Sequence, residues 1–326
     1  MAVISVRNLS KHYKVYQKEP GFLGSMKSLV NRKYETVKAV EDISFEIEEG
    51  ELVGFIGPNG AGKTTTLKCL SGLLYPTSGK LSVLGYTPFD RKKDFLKHLA
   101  LVMGQKNQLW WDLPPIDTFL LNKEIYEVPQ KRFDEALNDL SELLEIKEIL
   151  KVQVRKLSLG QRMKCELVAA LLHSPKVLFL DEPTIGLDVV MQKKLREFVK
   201  AYNEKYKSTV ILTSHYMGDV EALCKRVIII NHGTILFDGL LADLVKRFAP
   251  FKVINVIFGE YADPKKLDGL GEVKHFTYPE LTLQVPHNKA NAAIAKLMKN
   301  FQIEDIRIED PDIEDIIRDV FVSASR

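Results

Sequence analysis

The sequence predicts a parallel α/β core joined to a small α+β domain. Three observations carry that reading. Short, almost wholly apolar runs recur, such as Leu52 to Ile56 and "KVLFLDEP" at 176–183, as strands buried on both faces should. Helical patterns separate these runs and set up a β/α rhythm. Past Ala249-Pro250 the rhythm stops and shorter strand patterns take over, which in a chain of 326 residues fits two domains.

Each element follows from its own residues. "AVISVRNL" (2–9) alternates and is β-branched, so it reads as a strand. In "KEPGFLGSMKSLVNRKYETV" (18–37), Leu23, Met26, Leu29 and Val30 share one helical stripe beside Lys27 and Arg32. That pattern predicts a short amphipathic helix over 21–32, with Gly21 and Gly24 weakening its first turn. Two readings stand for it: a helix packed on its own domain, or one lying at a membrane surface or against a membrane partner. "AVEDISFEIEEGELVGFIG" (39–57) gives two strands around a Glu-Glu-Gly turn. A helix from Lys63 to about Leu74 follows, then "YPTSGK" as a turn, then a strand, a basic helix and a strand over 81–104. Residues 113–172 read as mostly helical, with strong periodicity in "DEALNDLSELLEI". "STVILTSH" (208–215) and "RVIIINHGTILFDG" (226–239) continue the core. From Phe251, "KVINVIF", "VKHFTY" and "LTLQV" read as short strands and "NKANAAIAKLMKN" as a helix.

Composition excludes several function classes. A net charge of +3 supplies no field that would gather nucleic acid, and Arg91-Lys92-Lys93 reads as a solvated helix face. Cys69, Cys165 and Cys224 are far apart and form no CxxC, which suits reduced thiols of a cytosolic protein rather than a metal site. The N-terminus reads as a strand and a turn, not a signal peptide. No apolar run approaches the roughly 18–20 residues that span a bilayer. If the protein works at a membrane, another subunit must cross it.

The chemistry concentrates in three stretches. "GPNGAGKT" (57–64) has the phosphate-binding pattern G-x-x-x-x-G-K-[ST], with an apolar strand before it and a helix after it. Gly57, Gly60 and Gly62 let the backbone of Pro58, Asn59 and Ala61 curl so that successive N–H groups face one concavity. Lys63 adds a charge for β- and γ-phosphates, Thr64 a hydroxyl for Mg²⁺, and Thr65 a further phosphate hydrogen bond. In "LFLDEP", Asp181 fits a Mg²⁺-orienting carboxylate, and Glu182 can align a water and accept its proton. "LSLGQRMKCELVAALL" (157–172) opens a helix with a Ser and a Gly, a second N-terminus able to meet an anion.

Taken in order, "GPNGAGKTT", "LSLGQ", "LFLDEPTIGLD" and "LTSH" resemble the ATP-binding cassette (ABC) ATPases over about residues 3–245. The resemblance implies a P-loop NTPase cassette: a parallel α/β core, an antiparallel β portion and a helical lobe at about 107–165. It also implies two cassettes packed head to tail around two ATP molecules. Each ATP would touch 57–64 of one subunit and Ser158, Gly160 and Gln161 of the other, with Asp188 in the loop facing the partner. One copy of each motif implies a homodimer or a dimer with a similar cassette. Tyr13 matches the aromatic that stacks on adenine, His215 the histidine at the γ-phosphate, and Gln105 the glutamine that senses Mg²⁺ and the attacking water. Gln108 is the alternative to Gln105. The chain departs from the family at Leu159, where a glycine is usual. The resemblance implies retained activity with Leu159 pointing away from the phosphate.

"GQKNQLWWDLPPIDTF" and "IRIEDPDIEDIIRDVF" resemble the ATPase subunits of ABC-2-type exporters, a group that includes drug-resistance and sodium-efflux systems. That implies an ATPase domain over 1–249, an accessory α+β domain over 250–326, and a separate integral membrane permease subunit. The expected place is peripheral, at the cytoplasmic face of the cell membrane. Trp110 and Trp111 fall where the family docks its membrane subunit; an apolar docking surface and simple core packing both remain open. Two other classes weigh against this one: a non-transport cassette ATPase and a nucleotide-gated regulatory protein. The first would carry two cassettes or a coiled-coil insertion, and the second would have lost Glu182 or His215.

Overall fold

The computed structural model describes residues 2–16, 34–104, 107–262 and 267–324. The helix expected over 21–32, and Gln105, lie outside the described residues. The chain divides into two compact units, Met1–Asp238 and Gly239–Arg326.

In the first unit the strands are β1 (Ala2–Tyr16), β2 (Tyr34–Glu48), β3 (Leu52–Ile56), β4 (Ser78–Val83), β5 (Leu99–Met103), β6 (Val177–Asp181), β7 (Thr209–Thr213), β8 (Arg226–Asn231) and β9 (Thr234–Leu240). They form an antiparallel sheet of order β2-β1-β4 and a six-stranded sheet of order β5-β6-β7-β3-β8-β9. β3 pairs in parallel with β7 and β8, and β6 with β5 and β7. Every residue of β6 and β7 is buried. That two-sided burial is why these strands read as apolar runs rather than alternating ones. One core joins the two sheets: Ile4, Val6, Ile43 and Ile47 from the antiparallel one meet Phe55, Phe179, Ile211 and Ile228 from the other.

The helices are α1 (Lys63–Leu70), α2 (Lys93–Lys97), α3 (Pro115–Ile125), α4 (Gln130–Leu143), α5 (Leu159–Leu171), α6 (Val189–Tyr206) and α7 (Met217–Leu223). α7 lies so close to β3 that a Cβ on Gly54 would stand 3.2 Å from Val220 Cγ1 and 3.3 Å from Cys224 Sγ. All three cysteines are free and buried. Burial pushes the Cys69 thiol up to about 11 and the Cys165 thiol up to about 12, so both stay protonated and inert.

Local expectations met two corrections. α1 ends at Leu70, not near Leu74, because Ser71 caps it and Gly72 turns left-handed at φ 72°. The amides of Leu73 and Leu74 then both donate to Lys68 O. The stretch read as a turn at 75–80 already contains the start of β4, since Ser78 pairs with Ser10 and Lys80 with Arg7. Propensity at Ser-Gly gave way there to pairing with β1.

In the second unit, α8 (Leu241–Phe248) precedes β10 (Phe251–Phe258), β11 (Glu272–Thr277), β12 (Glu280–Pro286), α9 (Ala290–Asn300), β13 (Ile303–Glu309) and α10 (Ile313–Ala324). The strands form an antiparallel sheet of order β11-β12-β10-β13. Alternate residues Ile254, Val256 and Phe258 join Leu281, Leu283 and Val285 in a core closed by Ala293 and Leu297 of α9. α10 packs with α8, and Leu244, Ile317 and Val320 are buried.

Candidate active site

The carboxyl ends of β3, β6 and β7 supply the site, as expected of an open parallel sheet. β7 lies between the other two. The loop leaving β3 is shaped by two close approaches. A Cβ on Gly57 would stand 2.3 Å from Ile230 O, and one on Gly62, at φ +110°, 2.5 Å from Ala39 O. No side chain fits at either point. The loop is braced by Ala61 N donating to Pro58 O and Gly233 N donating to Ala61 O. Pro58, Asn59 and Gly60 are exposed while Ala61 is buried, so the loop presents its tip and hides its base.

Lys63 is 5% exposed, and its Nζ donates to Gly57 O at 2.6 Å and Pro58 O at 3.1 Å. Burial lowers its pKa below the usual lysine value, with Glu182 and Asp181 opposing that shift. The ammonium is held over the loop by the loop's own carbonyls, where phosphate oxygens would be stronger acceptors.

Across from it, Thr64 Oγ1 donates to Asp181 Oδ2 at 2.8 Å, and Thr213 Oγ1 donates to Asp181 Oδ1 at 2.7 Å. Both oxygens of this buried carboxylate are therefore engaged. Glu182 has φ 55°, a left-handed backbone that disfavours side chains and costs about 1–3 kcal/mol. Three contacts hold it there. Its N–H donates to Thr213 O at 3.1 Å and to Thr213 Oγ1 at 3.0 Å, and Gly104 N donates to Asp181 O at 2.9 Å. The turn aims the carboxylate at His215, whose Nε2 lies 2.6 Å from Glu182 Oε1. A carboxylate only accepts, so Nε2 carries the proton of this contact. A carboxylate oriented by a histidine can take a proton from a water placed beside it.

Tyr13 stands on β1 opposite Val37, half-buried, with Lys11 Nζ 5.1 Å from its ring centroid. Thr65 is half-buried in the first turn of α1. The remaining predicted residues form a separate group at the starts of α5 and α6. Ser158 caps α5 through a capping box: Gln161 N donates to Ser158 Oγ at 3.2 Å and Ser158 N to Gln161 Oε1 at 3.0 Å. Asp188 caps α6, accepting from Met191 N at 2.9 Å. Met191 ties the two caps together, because a Cβ on Gly160 would stand 3.2 Å from its side chain. Leu159 is 37% exposed and lies against the 183–188 loop, its Cδ2 3.0 Å from where a Cβ on Gly186 would be. Gln108 Nε2 donates to Leu101 O at 2.9 Å. Trp110 and Trp111 are 58% and 48% exposed, so core packing is the alternative that the structure removes.

Three contributors escaped the sequence reading. Thr213 joins Asp181 to Glu182. Gly104 must be bare, since a Cβ there would sit 2.0 Å from Glu182 O. Asp219, 1% exposed, accepts from Thr184 Oγ1 at 2.6 Å and Ser214 Oγ at 2.7 Å and pairs with Arg196 at 3.3 Å. It thereby ties the loop after Glu182 to the loop bearing His215. Thr213 and Gly104 fall inside the quoted stretches "LTSH" and "GQKNQLWWDLPPIDTF", but the role of each of the three depends on a partner about 30 to 80 residues away in sequence and so did not show.

Comparison with known proteins agrees with this geometry. The ABC transporter family model matches residues 40–185, and that of the EvrA-like ABC transporter C-terminal domain matches residues 250–309. The chain is 32% identical over 212 residues to the ABC transporter ATP-binding protein NatA of Bacillus subtilis, covering 65% of this chain and 86% of that protein. It is 32% identical over 218 residues to the bacitracin transport ATP-binding protein BcrA of Bacillus licheniformis, covering 67% and 70%. A solved structure of an ATP-binding subunit of an ABC transporter superposes with a TM-score of 0.62 at 25% identity, covering 76% of this chain and 93% of that one. A loop built for phosphates, a carboxylate pair at a strand end and these likenesses converge: the chain belongs to the ABC transporter family, as an ATP-binding subunit that hydrolyses ATP.

Proposed function

We propose that this subunit is the motor of an exporter: two copies, or one copy and a similar cassette, close around two Mg·ATP, and a separate ABC-2-type permease moves with them. The observation that carries the reading is the meeting of Thr64 with Asp181, one residue from a Glu182 paired to His215. Hard oxygen donors on Thr64 and Asp181 suit Mg²⁺, which takes one or two protein oxygens and completes its shell with phosphates and water. When bound, the ion neutralises charge on the β- and γ-phosphate oxygens. Gln105 belongs to the same proposed shell. Lys63 and the 57–64 amides hold the phosphates. Glu182 orients the attacking water and takes its proton, and His215 fixes that carboxylate. Ser158, Gly160, Gln161 and Asp188 serve the nucleotide on the opposite copy, and Tyr13 stacks on its own adenine.

A docking face supports the transport reading. A cleft of about 480 Å³ is lined by Leu73, Leu101, Ile125, Tyr126 and Ala170, among others. Leu120, Leu121 and Ile125 are exposed, as are Trp110 and Trp111. Apolar surface of this kind on a subunit marks a partner's place. Among the described residues no helix is long and apolar enough to cross a membrane. The permease therefore supplies the spanning segments, and this subunit sits peripherally at the cytoplasmic face. The relatives' printed roles in bacitracin transport and ATP binding point the same way.

Glu182→Gln is the decisive experiment. Hydrolysis by the purified variant should fall by roughly 10²–10⁴-fold, while Mg·ATP drives it into a dimer visible by size-exclusion light scattering. Hydrolysis at the wild-type rate would remove Glu182 as the base. A strictly monomeric variant under saturating Mg·ATP would remove the sandwich.

A further inference from the structure

α5 carries at its N-terminus Ser158, Gly160 and Gln161, three of the residues proposed to meet the partner's nucleotide. Inside α5 sits a carboxylate with no part in the chemistry above. Glu166 is 1% exposed. Its Oε1 lies 3.4 Å from Gln108 N and 3.8 Å from Arg162 Nε. Arg162 in turn stands 5.8 Å from the Trp111 ring centroid. One buried acid thus touches the loop that follows Gly104 and, through Arg162, the exposed indole of the docking face. Arg162 is itself on the first turn of α5, one residue past Gln161, and its N–H donates to Ser158 O at 2.9 Å.

We propose that Glu166 is a positioning residue that sets the register of the 107–111 loop against the first turn of α5, so that the docking face and Ser158–Gly160 move as one body. The proposal rests on the motor reading and adds its internal linkage. A buried carboxylate is usually clamped by short, charge-assisted bonds. This one is not: both contacts are long, the one to Arg162 runs along α5 itself and the one to Gln108 crosses to the loop. A slight rotation of α5 would change the Gln108 contact and carry Glu166 and Arg162 together past Trp111.

The other charges nearby are already engaged. Lys164 is paired with Glu145 at 3.6 Å, Asp112 with Arg155 at 3.2 Å and Lys123 with Glu124 at 2.8 Å. Cys165 beside it stays protonated. Arg162 is therefore the cation that faces Glu166. Burial pushes the Glu166 carboxyl up to about 7, against the Gln108 amide and Arg162, which favour its charged form. The acid changes charge near neutrality, and Arg162 loses its counter-ion as it does.

The chain offers its own probe, since its two tryptophans are Trp110 and Trp111. Intrinsic emission of the nucleotide-free wild-type protein should show a transition centred near pH 7 as Arg162 shifts on Trp111. Glu166→Gln, which keeps the shape and the acceptor for Gln108, should abolish that transition. An unchanged transition in Glu166→Gln, or none in the wild type, overturns the linkage. Kinetics give an independent arm. Glu166→Gln should flatten the kcat profile between pH 6 and 8. Glu166→Ala should lower kcat roughly tenfold with the ATP KM changed less than about twofold, since the 57–64 loop is untouched. A wild-type kcat in folded Glu166→Ala also overturns it, and if that variant does not fold, Glu166→Gln decides. The emission arm contains no nucleotide, so its failure is separate from any failure of Glu182→Gln to dimerise.

Discussion

The two turns proposed to meet phosphate in this subunit are built in opposite ways. Around 57–64, Lys63 is held by the loop's own carbonyls, but the hydroxyl and carboxylates are held by partners distant in sequence: Thr64 by Asp181, Asp181 by Thr213, Glu182 by His215. At 158–161 every group is held by its immediate neighbour: Ser158 by Gln161 and Gln161 by Ser158. The first turn is assembled by tertiary structure and stands ready in a single chain. The second is a helix cap that any chain could form alone. On the proposed reading it acquires chemical meaning only when a phosphate arrives from outside. Damage to the first should therefore abolish chemistry, and damage to the second should show mainly in what depends on a partner.

Lys63→Met tests the first turn hardest. Hydrolysis should fall by roughly 10²–10³-fold with the loss of a preorganised cation. The nucleotide-free protein should nonetheless melt no lower than wild type. The folded pKa of Lys63 is lowered, so its charge opposes folding at every pH below the unfolded value. That penalty is full below the folded value and fades as pH rises through it. Mg·ATP should raise the melting temperature of wild type but not of the variant. A variant that melts several degrees lower at pH 7 would show that the lysine's two carbonyl bonds outweigh its burial.

Asp219→Ala strikes the frame around the first turn. It leaves Thr184, Ser214 and Arg196 without their shared acceptor, at a cost of about 3–5 kcal/mol in denaturant unfolding. Asp219→Asn keeps an acceptor oxygen for the two hydroxyls and should lose less than half as much. Both should also slow hydrolysis, because the loops bearing Glu182 and His215 are joined through this residue. Equal stability of Asp219→Ala and wild type would show that the loops hold themselves.

The contrast also explains what was legible in the sequence. Strands buried on both faces announced themselves as apolar runs, and 57–64 carried its geometry in its own glycines. The cap at Ser158 is local, so residue type and position suggested a helix start there, whereas Asp188 entered only through the resemblance and its capping of α6 came from the structure. Thr213, Gly104 and Asp219 were silent because their roles exist only after β5, β6 and β7 align. The end of α1 was misjudged for the same reason. Its helical pattern runs on, but Gly72 is fixed against Pro88, where a Cβ would stand 2.3 Å from the carbonyl oxygen.

Leu159→Gly probes the second turn most gently. Leu159 occupies the first position of α5 and covers Gly186 in the loop that ends at the Asp188 cap. Its removal gives up that apolar contact and adds backbone freedom, together about 1 kcal/mol of stability. Ser158 Oγ and the bare Cα of Gly160 stay in place, so hydrolysis should remain within about threefold of wild type. A rise of tenfold would carry a different lesson. The branched side chain would then stand between Ser158 and the incoming phosphate, and closure onto the partner's nucleotide, rather than the preparation at 57–64, would limit turnover. The same variant thus separates two rate-limiting steps: an unchanged rate assigns the limit to the turn assembled by tertiary structure, and a faster one assigns it to the turn that waits for a partner.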